Sequence, residues 1–253
     1  MNFLRNKVAF ITGATSGIGK ECAKKLAEYE VNLILTGRNE EKLNQLKNSL
    51  PTQTIAYVMD VRDKNQVQKV IDEVLKITQI DILINNAGLA LGLEPIDEGN
   101  TEDWETMIDT NIKGVLYVTK PIFKHMKKRN EGHIVNIGSV AGKTAYPGGN
   151  VYCATKAALH SLNESLNIDA YGTNIKVSNI APGAVETEFS NVRFKGDIKK
   201  AKKVYEGFIP LSAEDIANAV LCVLNTPPHV NIQYMDIMPT SQRNPYLLHR
   251  QKD

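Results

Sequence analysis

The apolar residues of this chain follow two alternating patterns along most of its length. Short runs of consecutive apolar residues, typical of strands buried in a parallel sheet, are separated by longer segments with apolar residues every three or four positions, as on one helix face. The predicted strands are 7–12, 31–36, 55–60, 80–85, 133–137, 176–180 and 231–238. The predicted helices are 18–27, 40–50, 66–77, 103–128, 152–171 and 212–224, the last capped by Ser212 with Asp215.

This alternation predicts a doubly wound α/β fold of Rossmann type. Its seven-stranded parallel sheet would have right-handed crossovers and helices on both faces. No linker, repeat or low-complexity tract divides the sequence, so we expect a single domain over residues 1–253. Residues 186–207 form a longer connection that mixes aromatic with polar residues, and we expect a substrate loop or lid there.

Composition and charge exclude several classes of protein. The 253 residues are 42% hydrophobic and 23% charged, as in a globular protein rather than a disordered or fibrous one. A net charge of +2 is too small to indicate a nucleic-acid partner. No stretch has the roughly 18–20 apolar residues that a membrane span needs, and the first residues lack a signal-peptide core. The three cysteines and five histidines show no metal-ligand spacing, so we expect no metal and a cytoplasmic location.

A glycine-rich segment separates the first predicted strand from the first helix. Gly13, Gly17 and Gly19 have the spacing G-x-x-x-G-x-G. Glycines at such a turn let the backbone approach a pyrophosphate, and the N–H groups of the helix start point towards it. A tight turn without a ligand is the alternative, against which three glycines in this position argue. The expected contacts are Gly13, Thr15, Ser16, Gly17, Ile18 and Gly19.

Tyr152 and Lys156 lie four positions apart in a predicted helix and therefore share one face. An ammonium close to a phenol favours the phenolate, so we expect Lys156 to lower the pKa of Tyr152 from its ordinary value of about 10. Tyr152 could then exchange a proton with a substrate oxygen near neutral pH. For a tyrosine and a lysine without further context, an exposed helical face is the alternative.

Together these segments resemble the short-chain dehydrogenase/reductase family, whose glycine motif reads TGxxxGxG. Asn85-Asn86-Ala87-Gly88 is similar to its NNAG motif, Tyr152–Lys156 to its YxxxK motif and Pro182-Gly183 to its PG turn. The resemblance spans nearly the whole chain and implies hydride exchange with a nicotinamide cofactor. It implies that Lys156 also bonds the nicotinamide ribose and that Ser139 donates to the substrate oxygen. Asn111 resembles the fourth catalytic position, which anchors a water, with a structural bridge to helix backbone as the alternative.

The end of the second predicted strand indicates which nicotinamide cofactor is bound. Thr36-Gly37-Arg38-Asn39 offers no carboxylate to a ribose 2′-hydroxyl, whereas the Arg38 guanidinium can bind a 2′-phosphate. We therefore expect NADP, with Asn39 beside Arg38; a surface arginine at a helix start is the alternative. The resemblance implies further contacts: Asp60 and Val61 at the adenine, Asn86, Ala87 and Gly88 at the adenosine ribose, and Pro182, Gly183, Val185 and Thr187 around the nicotinamide.

The carboxyl-terminal third is similar to NADP-dependent 3-hydroxy acid dehydrogenases, which oxidise serine, allo-threonine and related 3-hydroxy acids. Residues 187–197, 229–232 and 238–239 carry this likeness. Such a substrate would meet Ser139 and Tyr152 at its hydroxyl, and its carboxylate needs a cation. Arg193 and Lys195 are candidates, although both could be solvated. The tail from about residue 242 departs from that subgroup, which puts pocket contacts by the carboxyl terminus in doubt.

Two other functions stay open on sequence grounds. One is a broad-range NADPH-dependent carbonyl reductase acting on 3-oxoacyl, sugar or ketone substrates. The other is an NADP(H)-sensing regulatory protein, against which the intact set of Ser139, Tyr152 and Lys156 argues. The resemblance also implies a homotetramer formed through the two long helices. Their apolar residues suit either that interface or an ordinary core: Ile112, Val115, Leu116, Leu159 and Leu162.

Overall fold

One sheet of seven parallel strands forms the centre of the computed structural model, which describes residues 2–251. Its strands are β1 (Val8–Ile11), β2 (Asn32–Gly37), β3 (Thr54–Val58), β4 (Ile82–Asn85), β5 (Gly132–Ile137), β6 (Ile175–Pro182) and β7 (Tyr234–Ile237). They are ordered β3-β2-β1-β4-β5-β6-β7, which confirms the predicted doubly wound sheet. The chain changes direction across the sheet between β1 and β4, where such folds bind ligands.

Helices cover both faces of the sheet because its strands are apolar on both sides. Within the described residues the α-helices are α1 (Gly17–Glu28), α2 (Glu40–Ser49), α3 (Lys64–Ile77), α4 (Thr101–Ile108), α5 (Val115–Arg129), α6 (Asn150–Asp169), α7 (Phe189–Arg193), α8 (Ile198–Lys203) and α9 (Ala213–Leu224). Along β1, Ala9 and Ile11 pack towards α1 and α9, whereas Val8 and Phe10 pack towards α3 and α5.

Polar side chains fix where several helices begin. Asn39 caps α2 by accepting a hydrogen bond from the Lys42 backbone N–H, and Asp63 caps α3. At the start of α9 the side chains of Ser212 and Asp215 each bond the other's backbone N–H. This reciprocal capping box confirms the start predicted from the sequence.

The single long helix predicted over 103–128 is wrong in one respect. A π-helical segment, Asp109–Gly114, joins α4 to α5. A π turn inserts an extra residue and so rotates the residues after it about the helix axis, a shift that apolar periodicity does not reveal. The segment fits closely against the residues after β3, since a Cβ on Gly114 would lie 2.7 Å from Cγ2 of Val61. It directs Asn111 into the interior.

The connection predicted as a loop at 186–207 contains two short helices, α7 and α8. Because each helix is only five or six residues long, neither shows an apolar period that sequence analysis could detect. The last strand, β7, is shorter than the predicted span of 231–238. Among the residues described, no helix combines the length and apolar character that a membrane crossing requires.

Candidate active site

A cleft that is partly open to solvent lies at the carboxyl ends of the strands. Most residues predicted to bind cofactor or substrate line it: Gly13, Thr15, Ser16, Gly17, Ile18, Arg38, Asp60, Val61, Asn86, Ala87, Gly88, Ser139, Tyr152, Lys156, Pro182, Gly183, Val185 and Thr187. Gly19, Asn39, Asn111 and Arg193 do not belong to this lining. Residues from distant parts of the sequence are thus brought to one cleft.

The turn between β1 and α1 has the backbone that its glycines predict. Gly13 and Gly17 have φ values of +64° and +51°, in the left-handed region that favours glycine. The N-cap residue of α1, Ser16, makes no side-chain capping bond, so the first N–H groups of the helix remain available to an anion. Gly19 has another role, because a Cβ there would lie 2.4 Å from Nδ2 of Asn86.

Asn86 and Thr12 tie the glycine turn to the end of β4. The Asn86 side chain donates to the carbonyl oxygens of Thr12 and Gly13, at 2.9 and 3.0 Å. The Thr12 hydroxyl oxygen accepts from the backbone N–H groups of Asn86 and Ala87, both at 3.0 Å. The NNAG segment therefore holds the turn in shape as well as lining the cleft.

The end of β2 leaves an exposed cation at the cleft. Arg38 is exposed there, and among residues 2–251 it forms no ion pair. A Cβ on Gly37 would lie 2.8 Å from Cγ2 of Thr15, so a carboxylate side chain at that position would collide with the turn. Asn39 uses its side chain to cap α2. These features fit a cofactor with a 2′-phosphate better than one with a free 2′-hydroxyl.

Three polar side chains meet on the opposite side of the cleft. Ser139 follows β5 and caps a short 3-10 helix, Val140–Gly142, whereas Tyr152 and Lys156 lie one turn apart on α6. The Lys156 Nζ donates to the Ile137 carbonyl oxygen at 2.9 Å and lies 6.0 Å from the Tyr152 ring centroid. The predicted convergence of these side chains is thus present in the structure.

The predicted direction of the Tyr152 pKa shift is wrong for this arrangement. Burial raises the pKa of Tyr152 above its ordinary value, and a hydrogen bond with Ser139 and the nearby Arg193 only partly offset that effect. Burial also lowers the pKa of Lys156, from 10.5 to about 8. Since the Lys156 ammonium is directed at a carbonyl oxygen of β5, the neutral phenol of Tyr152 is the favoured form.

Asn111 forms a structural bridge, although not the bridge to helix backbone that the sequence left as an alternative to its catalytic role. In the π-helical segment its Oδ1 accepts from the Leu89 N–H at 2.9 Å, and its Nδ2 donates to the Leu89 carbonyl at 2.8 Å. Nδ2 also donates to the Thr155 hydroxyl at 3.0 Å. The side chain joins the segment after β4 to α6, and its predicted catalytic role stays a prediction.

The segment after β6 closes the cleft over the glycine turn. A Cβ on Gly17 would lie 3.4 Å from the Thr187 side chain, so the two positions are in contact. Gly183 is tightly packed, since a Cβ there would lie 2.3 Å from Oε1 of Gln242. That same oxygen accepts from the Ala184 N–H at 2.9 Å. The carboxyl-terminal tail, whose contacts were in doubt, therefore supports the PG turn.

Arg193, at the end of α7, lies beside Tyr152. Its Nε donates to the Gly92 carbonyl oxygen at 3.0 Å and its Nη1 to the Tyr146 hydroxyl at 2.8 Å. The guanidinium carbon is 5.4 Å from the Tyr146 ring centroid and 5.9 Å from that of Tyr152. Lys195, the other predicted candidate cation, instead pairs with Asp103 at 2.8 Å. Of the two, only Arg193 is next to the polar cluster.

Sequence reasoning missed several residues in or beside the cleft. Tyr146 holds Arg193, and the Phe189 ring packs edge-on against Tyr152 with centroids 5.6 Å apart. Arg62 lines the cleft and bonds the carboxylate of Asp60. None belongs to a motif. The position of Arg62 directly after the Asp60-Val61 pair is the one signal in the sequence that points to any of them. Within residues 2–251 no group of three His, Cys, Asp or Glu side chains could hold a metal ion.

Comparisons with known proteins agree with this geometry. The family described as short chain dehydrogenase matches residues 7–197. The NADP-dependent 3-hydroxy acid dehydrogenase of Salmonella typhi is 46% identical over 237 residues, covering 93% of this chain and 96% of that protein. Sulfoacetaldehyde reductase 2 of Chromohalobacter salexigens is 43% identical over 239 residues, covering 93% and 95%. The solved closed form of serine dehydrogenase complexed with NADP+ is 44% identical, with a TM-score of 0.92 over 96% of this chain and 100% of that one.

Proposed function

We propose, from the premise that this chain belongs to the short-chain dehydrogenase family, that it is an NADP-dependent oxidoreductase acting on small 3-hydroxy acids. The reaction transfers a hydride between the nicotinamide and the hydroxyl-bearing carbon of the substrate. One observation carries the substrate class: the Arg193 guanidinium lies 5.9 Å from the Tyr152 ring centroid. It supports a substrate with an anionic group close to its reacting carbon.

NADP fits the cofactor side of the cleft. The uncapped start of α1 would receive the pyrophosphate, and Arg38 would bind the 2′-phosphate. Thr187 covers the turn from the other side, and Lys156 would bond the nicotinamide ribose. When bound, NADP supplies the ring carbon that accepts or returns the hydride. Asp60, Val61 and residues 86–88 complete the adenosine side, and Pro182, Gly183 and Val185 the nicotinamide side.

Tyr152 is the acid–base residue that transfers a proton to or from the substrate oxygen. Its buried hydroxyl is neutral at physiological pH, and in the reducing direction it donates a proton to the carbonyl oxygen of the substrate. Ser139 donates a hydrogen bond to the same oxygen. Lys156, with a pKa of about 8, is able to take up or release a proton near neutrality, which supports its role beside Tyr152. The rings of Tyr146 and Phe189 exclude water from Tyr152.

Arg193 orients the substrate through its charge. In a 3-hydroxy acid a single carbon separates the carboxylate from the carbon that carries the hydroxyl, so both groups can be held at once by Arg193 and Tyr152. Nε and Nη1 are committed to Gly92 and Tyr146, and among the residues described Nη2 remains available to a ligand. A sulfonate has the same charge, and the sulfoacetaldehyde reductase relative therefore supports a sulfonated aldehyde as a second candidate substrate.

The test is a substrate panel followed by NADPH absorbance. L-Serine, L-allo-threonine, 3-hydroxyisobutyrate and 3-hydroxypropionate are oxidised with NADP beside simple alcohols, and sulfoacetaldehyde and uncharged carbonyls are reduced with NADPH. We expect turnover to be confined to the anionic compounds. Activity on uncharged carbonyls alone would replace the substrate assignment with a broad-range reductase. Tight NADPH binding without any turnover would favour a regulatory role.

We also propose a homotetramer in the cytoplasm. The residues predicted to form its interface differ in exposure. Val115 and Leu159 are buried within the chain, Ile112 and Leu162 are half-buried, and Leu116 is exposed. The exposed part of the two long helices supports an interface there. All three cysteines are free, which agrees with a reducing compartment. Light scattering on the purified protein gives the oligomer mass.

A further inference from the structure

Arg62 forms an unusually complete ion pair on the wall of the cleft. Its Nε lies 3.0 Å from both Oδ1 and Oδ2 of Asp60, and its Nη2 lies 2.6 Å from Oδ2. The Arg62 backbone N–H donates to Oδ1 at 3.0 Å as well. A carboxylate offers about four lone-pair positions, and three N–H groups of this one arginine contact both oxygens of Asp60. Asp60 therefore holds Arg62 through both of its carboxylate oxygens.

The same pair fixes the plane of the Arg62 guanidinium. A guanidinium bonded to both oxygens of one carboxylate has little freedom to rotate, whereas the side chain of an unpaired arginine samples many rotamers. Arg62 nevertheless stays 38% exposed, and it lines the cleft together with Val61 and Arg38. The chain thus presents a guanidinium oriented by Asp60 beside the residues predicted to bind the adenosine end of the cofactor.

Arg62 and Arg38 differ in what their charges do. The charge of Arg62 is balanced by Asp60, and the hydrogen bond from Arg62 is the largest cause of the lowered Asp60 pKa. Arg38 forms no ion pair among residues 2–251, so its charge is available to an anionic ligand. Of these two arginines, the unpaired one suits a phosphate and the paired one suits an uncharged aromatic ring, on which guanidinium planes stack well.

We propose that Arg62 is a cofactor-binding residue whose guanidinium, held flat by Asp60, stacks on the adenine ring. Arg38 then discriminates NADP from NAD, and Arg62 contributes to the binding of either cofactor without discriminating between them. This division rests on the proposed function, because it assumes that a nicotinamide adenine dinucleotide occupies the cleft. It assigns a role to a residue outside the family motifs named above.

Calorimetric binding of NADPH, NADH, 5′-AMP and 2′,5′-ADP to the purified chain tests this assignment without using activity. The diagnostic variant is Arg62→Lys, which keeps the charge beside Asp60 but removes the flat guanidinium. We expect its Kd to rise about fivefold or more for all four ligands, as loss of a stacked base predicts. Arg38→Gln should weaken only NADPH and 2′,5′-ADP, leaving NADH and 5′-AMP within about twofold.

Two results would overturn the proposal. Wild-type affinity of Arg62→Lys for all four ligands would show that Arg62 does not contact the adenine. A loss confined to NADPH and 2′,5′-ADP would make Arg62 a second phosphate residue instead. Failure of the wild-type protein to bind NADPH and NADH would contradict the proposed function, and it is distinguishable from both results above because those require the wild-type protein to bind. Thermal melting of each variant verifies the fold, and Arg5→Lys, an exposed arginine paired with Glu30, is the matched control.

Discussion

The two ends of the cleft are built in different ways. The cofactor end, residues 12–19, 36–39 and 59–62, consists of strand ends and a glycine turn whose shape depends on backbone and on close contacts. The substrate end, Tyr146, Tyr152 and residues 187–193, depends on side chains that meet from distant segments, as when Arg193 bonds Gly92 and Tyr146. The backbone constraints of the glycine turn leave a sequence motif, whereas the contacts of Arg193 with Gly92 and Tyr146 leave none.

The largest expected effect lies where the two ends meet. Tyr152→Phe should lower kcat by about a thousandfold, because it removes the hydroxyl that transfers the proton while the ring and its packing against Phe189 remain. Affinity for NADPH should stay within about twofold in a calorimetric titration. The matched control is Tyr171→Phe, since Tyr171 is 92% exposed. A variant that keeps a tenth or more of wild-type kcat contradicts the assignment of Tyr152.

A second prediction concerns the charge state of Lys156. Because its pKa in the folded chain is about 8, below its ordinary value of 10.5, the ammonium predominates at pH 7 and is lost as the pH rises through 8. This group therefore opposes folding at neutral pH, and that penalty diminishes between about pH 8 and 10.5. A protein labelled with ¹³C at the lysine ε-carbons should show one resonance titrating near pH 8.

That resonance is assigned by its absence from the spectrum of Lys156→Arg. If every lysine resonance titrated above about pH 10, burial would not be lowering the pKa of Lys156, and its proposed part in proton transfer would lose its support.

The smallest expected effect concerns the carboxyl-terminal tail, which contacts the segment that follows the substrate end. Arg250 donates to the Val204 carbonyl at 2.9 Å and to that of Glu206, and it lies over the Phe208 ring. Arg250→Ala should raise KM for the substrate about two- to threefold, since it removes hydrogen bonds of modest strength at an exposed site. The Kd for NADPH should not change. An equal loss at both ends would mean that the tail stabilises the whole fold instead.

Much of the fold followed from the sequence because most strands are short, buried apolar runs and the helices between them repeat every three or four residues. The glycine turn, Ser139, Tyr152 and Lys156 were predicted because each stands at the end of a strand or on the face of a recognisable helix. The sequence did not reveal the π-helical segment around Asn111, since one inserted residue hardly alters apolar periodicity. Nor did it reveal α7 and α8, which are too short for any period.

The sequence also did not predict the charge states of Tyr152 and Lys156. The spacing of Tyr152 and Lys156 predicts proximity, and proximity alone suggests a lowered pKa for the tyrosine. Burial outweighs it, because Lys156 directs its ammonium at Ile137 and the Tyr152 hydroxyl is enclosed by neighbouring side chains. Desolvation depends on every neighbour in three dimensions and therefore needs the structure.

The central claim, that the substrate end recognises an anionic group through Arg193, is tested most directly with two matched substrates. L-Serine and its methyl ester share the reacting hydroxyl and differ in the carboxylate charge. We predict that wild-type protein prefers L-serine in kcat/KM by about tenfold or more, and that Arg193→Met abolishes the preference while Lys195→Met keeps it. An unchanged preference in Arg193→Met would contradict the account.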